Sequence, residues 1–495
     1  MTLTRAFSLD TPPVSGAGVL SAANFREVAP EIVSPLSFSL IGAGMEEGFR
    51  EVGHTVGLRI DGPTPEFLAY VAYRPFHVMS SIDGMIARLP IMHRSDVWEL
   101  LLGGPPPLSG EPRRRTARPL KAFNSLRMLG FIRRNGVLAG EAAGLVAAAE
   151  ERALGALHDD SPLQAAMGLD LAFRAARASW ALHTRTTTVA TGVAAGLRRL
   201  FEQDHDDHTA TDLLRHAARR ASEAGVASAS AGRLTTDLDR LSSYEVADGS
   251  ERFRRFASAT ATARPLEKGM ALNGDQPGGS VGSVPVPRAT LAGRASHRML
   301  DVLDTTLAER ERSKELGLRS LHCVRLLLSA GAAGLEPGDA ALLGASELPR
   351  LSRDERDRLV ARRAEELDEA AGLDVPVDLQ ERGDELHPLR RPALRFSGSM
   401  TGTPLAPGWA EGPPVNLGSG DRAEIVCGER VDGNYVLAVR PAGVVTGFGS
   451  LLSHVAIVCR ELGIPLVSGI HVDEDEAHGA IQVDGWTGLV ARVGE

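Results

Sequence analysis

The stretch VVTGFGSLLSHVAIVCRELGIP, Val444 to Pro465, decides how the C-terminal part of this chain is read. Val444 and Val445 are apolar and β-branched, and they read as a buried strand. Gly447 and Gly449 mark a turn. From His454 a short apolar helix runs until Gly463 and Pro465 stop it. A helix N-terminus presents N–H groups that lack intrahelical partners, together with a partial positive charge. That end welcomes an anion. It also disfavours imidazolium, so a histidine there stays neutral and nucleophilic at about pH 7. A neutral histidine beside an anion-binding turn has the chemistry of a phosphoryl carrier.

Around this stretch, short strands are expected at Glu424 to Val426, Tyr435 to Val439, Gly443 to Val445, Leu466 to Ser468, Ala480 to Val483 and Leu489 to Arg492. With the His454 helix between strands they make a small α/β or β-barrel-like domain over residues 397–495. Upstream, residues 1–23 are rich in Pro, Gly and Ser and read as a flexible lead-in. Asn24 to Ser37 reads as extended, because each residue before a proline is biased away from helix. Helical spacing follows at Ala143 to Leu157, Asp170 to Thr184, Gly192 to Glu202 and after Thr211. Arg264 to Pro287 reads as a long loop. Helices resume at Met299, with a long amphipathic one from Arg310 to Leu328, then Asp339 to Leu343 and Arg356 to Ala371. Residues 24–385 thus form a helical domain, and 386–396, with Pro388 and Pro392, a linker. The fold class is α+β and multidomain: a mostly α-helical N-terminal and central part, then a small α/β domain.

The bulk numbers narrow the function classes. The 495 residues suffice for two to four domains. Hydrophobic residues at 43% and charged residues at 24% are ordinary for a globular chain, while aromatics at 4% imply a core of small aliphatic side chains. A net charge of -9 argues against nucleic acid as a partner, and the arginine runs at Arg113 to Arg115 and Arg254 to Arg255 are short enough to be solvated surface. Cys323, Cys427 and Cys459 are odd in number and far apart, which fits reduced thiols in the cytoplasm. No signal peptide and no membrane span is expected. No G-x-x-x-x-G-K-S/T is present, so ATP has no P-loop here.

The Val444 to Pro465 stretch resembles the swivelling phosphohistidine domain of the PEP-utilising enzymes, among them PEP synthase, pyruvate phosphate dikinase and rifampicin phosphotransferase. Their pattern is T-E-x-G-G-x-x-S/T-H-A-A-I-x-A-R-E-x-G-I-P. Thr446, Gly449, Ser453, His454, Ala456, Ile457, Arg460, Glu461, Gly463, Ile464 and Pro465 match it. Gly447 stands where Glu is usual, and Ser450, Val455 and Cys459 also depart. Gly402 to Gly412 resembles the opening of the same domain. A helix common in that family is expected to be missing between Tyr435 and Ala442. Asn24 to Ser37 and the order of elements from Arg310 to Ala371 are similar to the central domain of rifampicin phosphotransferase, but the H-R-G and P-x-W motifs of that family are not found in the corresponding region, Arg264 to Pro287.

The resemblance implies that His454 is the catalytic nucleophile, with Thr446, Gly449 and Ser453 binding phosphate. It implies a separate ATP-grasp protein that holds ATP with Mg2+, since this chain begins where that domain would end, and a small-molecule acceptor held by residues 24–385. The bland reading of the Thr446 and Ser453 hydroxyls is turn formation and helix capping. Arg460 lies on another helix face than His454 and reads as structural or docking. Asp204 to His208 looks like a metal cluster but reads as a charged loop, so no metal is expected. His183, His216, His297 and His322 read as surface or packing residues. A different class stays open beside the enzyme: an idle relative that binds a ligand or partner and regulates it.

Overall fold

The computed structural model describes residues 3–4, 18–26, 32–60, 66–89, 118–159, 162–202, 291–382, 385–389, 394–396, 398–416, 424–428, 431, 433–449, 453–472 and 479–493. The expected helix after Thr211, the loop from Arg264 to Pro287 and the Asp204 to His208 cluster lie outside them.

The N-terminal core combines an antiparallel sheet with long helices. Its strands are β1 (Leu3–Thr4), β2 (Val19–Ser21), β3 (Leu68–Val71), β4 (Arg74–Val78), β5 (Asp378–Arg382) and β6 (Glu385–Pro388), in the order β1-β6-β5-β2-β4-β3. Its helices are α1 (Ala23–Arg26), α2 (Pro35–Thr55), α3 (Met79–Ile86), α4 (Arg118–Asp159), α5 (Pro162–Glu202), α6 (Leu291–Ser329), α7 (Pro337–Ala340) and α8 (Arg353–Ala371). α5 packs against α2, α4 and α6. The α2–α5 crossing is close enough to require glycine. A Cβ on Gly44 would lie 2.5 Å from the Arg177 carbonyl, and one on Gly48 2.5 Å from that of Ala181.

Three expectations are corrected here. The lead-in over 1–23 contains a central strand: Leu20 pairs with Leu379 on one side and Val78 on the other, and Val19 to Ser21 are buried. Three residues are too few for a period-two signal. The extended reading of Asn24 to Ser37 fails at both ends, since α1 is helical and α2 starts at Pro35. The proline restricts Ser34 to extended backbone, φ -63 and ψ 154, which is what an N-cap needs, and the Ser34 hydroxyl accepts the Ser37 N–H at 3.2 Å. Finally, the 386–396 linker begins inside β6, whose Leu386 pairs with Glu381. The chain is again in a strand by β7 (Leu394–Arg395).

The C-terminal unit has three layers. β8 (Ser399–Thr401), β9 (Thr403–Ala406), β10 (Trp409–Gly412), β11 (Pro414–Asn416), β12 (Ile425–Gly428), β13 (Gly443–Thr446), β14 (Leu466–Ser468), β15 (Ile470–His471), β16 (Ile481–Asp484) and β17 (Leu489–Arg492) are its remaining strands, with α9 (Gly433–Val439) and α10 (His454–Leu462). One sheet has the order β11-β12-β13-β14-β9, with β11 to β14 parallel. The other has the order β10-β16-β17-β8 and is antiparallel. Period-two alternation splits the parallel strands between two cores. Val426, Val444 and Leu466 pack with α10 residues Val455, Ala456 and Cys459. Ile425, Cys427, Val445 and Val467 pack with Ile481, Val483 and Val490 of the second sheet. β7 pairs with β15, so the chain is tied to this unit from Leu394. Tyr435 to Val439, expected as a strand, is helical in α9, and the helix expected to be missing is therefore present. Parallel pairing of β12 and β13 demands a crossover, and α9 supplies it.

Candidate functional site

β13 is the central strand between β12 and β14, and its C-terminal end opens into the loop that leads to α10. In open parallel sheets this edge is where ligands bind. His454 is the first residue of α10. Ser453 is the N-cap, buried, and its hydroxyl oxygen accepts the Ala456 N–H at 3.3 Å. At the far end Gly463 adopts φ 68, and the Ile464 N–H donates to the Cys459 carbonyl at 2.8 Å, which closes the helix with a left-handed cap. Arg460 donates to the Leu405 carbonyl at 2.9 Å and ties α10 to β9, the structural role read from its position.

The turn before the helix is held by bonds to its neighbours. Thr446 is fully buried, and its hydroxyl donates to the Phe448 carbonyl at 2.7 Å. The Gly447 N–H donates to the Gly428 carbonyl at 3.0 Å. The Ser468 hydroxyl donates to the Gly449 carbonyl at 3.1 Å, and the Gly469 N–H donates to the Thr446 carbonyl at 2.8 Å. A Cβ on Gly449 would meet Leu405, Thr446 and Ser468 at 3.2 to 3.4 Å, so the position is sterically tight. The backbone from Thr446 to Gly449 is thus held with Gly447 in the place where the resembling family has Glu.

Thr446, Gly449, Ser453 and His454 therefore share one loop and helix start. Thr446 braces the turn, since its hydroxyl donates to the Phe448 carbonyl. Sequence reading missed Gly428, Ser468 and Gly469, which reach the loop from other strands and carry no motif of their own.

Of the remaining candidates, His216 and the His297 side chain lie outside what the structure describes, and the others are packing groups. His183 is half-buried with its ring edge-on to Trp180, and loss of solvent around the ring, followed by the charge of Arg310, lowers its pKa to about 3. Its Nδ1 lies 3.2 Å from the Arg310 carbonyl. His322 is buried. Cys323, Cys427 and Cys459 are free and buried, and burial pushes each thiol up to about 12, so none is a poised nucleophile. Among the described residues no group of three or more His, Cys, Asp or Glu side chains could hold a metal ion. Among the same residues no helix is long and apolar enough to cross a membrane.

Residues 421–488 match the family model described as PEP-utilising enzyme, mobile domain. The matched span runs from before β12 to the residue before β17 and encloses the whole stretch from Thr446 to His454. Over this span the C-terminal unit is similar to the mobile domain of the PEP-utilising enzymes, a likeness that points to phosphotransferase chemistry. The match leaves the N-terminal core unassigned. No curated protein matches the chain.

Proposed function

We propose that this chain is the phosphohistidine-carrying component of a dikinase-type phosphotransferase, with His454 as the carrier. The observation that supports this most is the coincidence of the family match with a strand–loop–helix unit whose helix opens at His454. A ring nitrogen attacks the β-phosphorus of ATP, so that an N–P bond forms as the P–O bond to AMP breaks, and water takes the γ-phosphoryl group as phosphate, which leaves one phosphoryl group on the histidine. An oxygen of the acceptor then attacks the same phosphorus, the N–P bond breaks and the histidine is restored. Backbone N–H groups at the start of α10 stabilise charge on the transferring group. Ser453 adjoins His454 in sequence, and its hydroxyl is the side chain proposed to reach the phosphoryl group. Gly449 keeps the turn narrow.

ATP and its Mg2+ are assigned to a separate ATP-grasp protein, and the small-molecule acceptor to the N-terminal unit. Three buried free thiols support a cytoplasmic location. The rival reading, an idle regulatory relative, is favoured by Gly447 in place of the family's Glu.

Incubation with ATP, Mg2+ and a candidate ATP-grasp protein separates the two, read by intact mass and acid-labile phosphate. The phosphotransferase reading expects one phosphate on His454, dependent on the partner, and none on His454→Gln with an unchanged melting temperature. No label in a mixture whose ATP-grasp protein charges another mobile domain would sink it.

A further inference from the structure

Phe448 belongs to the His454 loop, yet its side chain packs against the N-terminal core and against neither C-terminal core. Among the described residues it is the one apolar side chain beyond Leu394 that does so. The backbone explains the projection. Gly447 before it is bonded to Gly428 at 3.0 Å, its own carbonyl accepts the Thr446 hydroxyl at 2.7 Å, and the Gly449 carbonyl after it accepts the Ser468 hydroxyl at 3.1 Å. With the flanking backbone held to the sheet, the direction of the ring is set by the loop. The side chain is half-buried, as a knob seated on another surface would be.

We propose that Phe448 is the docking knob that seats the His454 loop on the N-terminal unit, a positioning residue for transfer to an acceptor held there. Its purpose rests on the phosphohistidine reading, but the contact does not. One aromatic side chain makes a small interface, and small interfaces release readily. A carrier that must also meet a second protein needs that reversibility. In the family's pattern Phe448 occupies a variable position, so the motif alone gives it no role.

The test uses the full chain without nucleotide, by cross-linking mass spectrometry and small-angle X-ray scattering. Phe448→Ala is expected to shift the docked-to-released ratio toward release by about tenfold, the loss of one buried aromatic contact. Cross-links between residues 394–493 and the N-terminal unit should fall, and the radius of gyration should rise. Phe448→Leu should keep most of the docking, and His454→Gln all of it. Partner-dependent phosphate incorporation on Phe448→Ala should stay at or above the level of the unaltered protein. An unchanged cross-link pattern and radius in both Phe448→Ala and Phe448→Glu would overturn the proposal. A failure of the phosphohistidine reading looks different: the unaltered protein takes no label, while docking still depends on Phe448.

Discussion

In the N-terminal core, buried polar side chains bridge separate elements. Arg319 of α6 grips the buried Glu150 of α4 through two bonds of 2.7 Å. Arg363 of α8 grips Glu347 at 2.6 and 2.9 Å and also donates to the Leu342 carbonyl at 2.8 Å. Glu46 of α2 accepts the N–H groups of Glu66 and Phe67 at 2.8 and 3.0 Å. In the C-terminal unit, the buried polar side chains among the described residues are Thr446, Ser453 and Ser468. All three hold the loop and helix start at His454. One region uses polarity to fix how elements cross, and the other reserves it for a single loop. A unit of this size has a small core, and each buried polar group is a burden on it. Their concentration around one loop marks where local geometry outweighs stability.

The sharpest way to break this contrast is Arg363→Ala. Removing one partner leaves Glu347 partly buried and unpaired, and a loss of about 3 kcal/mol is expected by urea unfolding of the N-terminal unit. A loss under about 0.5 kcal/mol would mean that these bridges do not fix the crossings.

Acid comes next. His77 is stacked on Phe25 at 4.5 Å, its Nδ1 has no hydrogen-bond partner among the described residues, and burial lowers its pKa from 6.5 to about 4. The folded state resists protonation that the unfolded chain accepts. The stabilising contribution is therefore full above pH 6.5 and is lost as the pH falls from there to about 4. The loss is on the order of 3 kcal/mol across that window. His77→Phe should flatten the profile, and a variant with the same pH slope as the unaltered protein would exclude His77 as its source. His183, with a pKa lowered to about 3, has the same sign and leaves a residual slope.

The smallest effect is expected from Ser453→Ala. The lost cap costs about 1 kcal/mol, seen as a lower melting temperature of the C-terminal unit with the N-terminal unit unaffected. Equal effects on both units would mean that the cap does not act locally.

The strand–turn–helix at His454 was legible because its glycines, histidine and stop signals are contiguous. Where reading failed, the cause lay in contacts that sequence spacing does not encode. Tyr435 to Val439 is aromatic and β-branched in part, and a run that short cannot be told from a strand. α5 reads as two helices because Thr184, Thr186, Thr187, Thr188 and Thr191 interrupt the pattern. In the fold it is continuous: the hydroxyls of Thr184, Thr188 and Thr191 donate to the carbonyls of Trp180, Thr184 and Thr187 at 2.8 to 3.0 Å. These bonds satisfy the hydroxyls within the helix itself. The loop's outside supports, Gly428 and Ser468, become neighbours of Thr446 only once three parallel strands align.

The β7–β15 pairing sets a mechanical limit. The C-terminal unit grips its own chain from Leu394, and the N-terminal core holds Leu389 through its N–H bond to the Asp378 carbonyl at 2.9 Å. The five steps between them can span at most about 18 Å. A tether that short lets the C-terminal unit turn but not travel. It also holds the His454 loop near the N-terminal surface at an effective concentration on the order of millimolar. At such a concentration a contact too weak to join two free proteins is enough to keep this one closed.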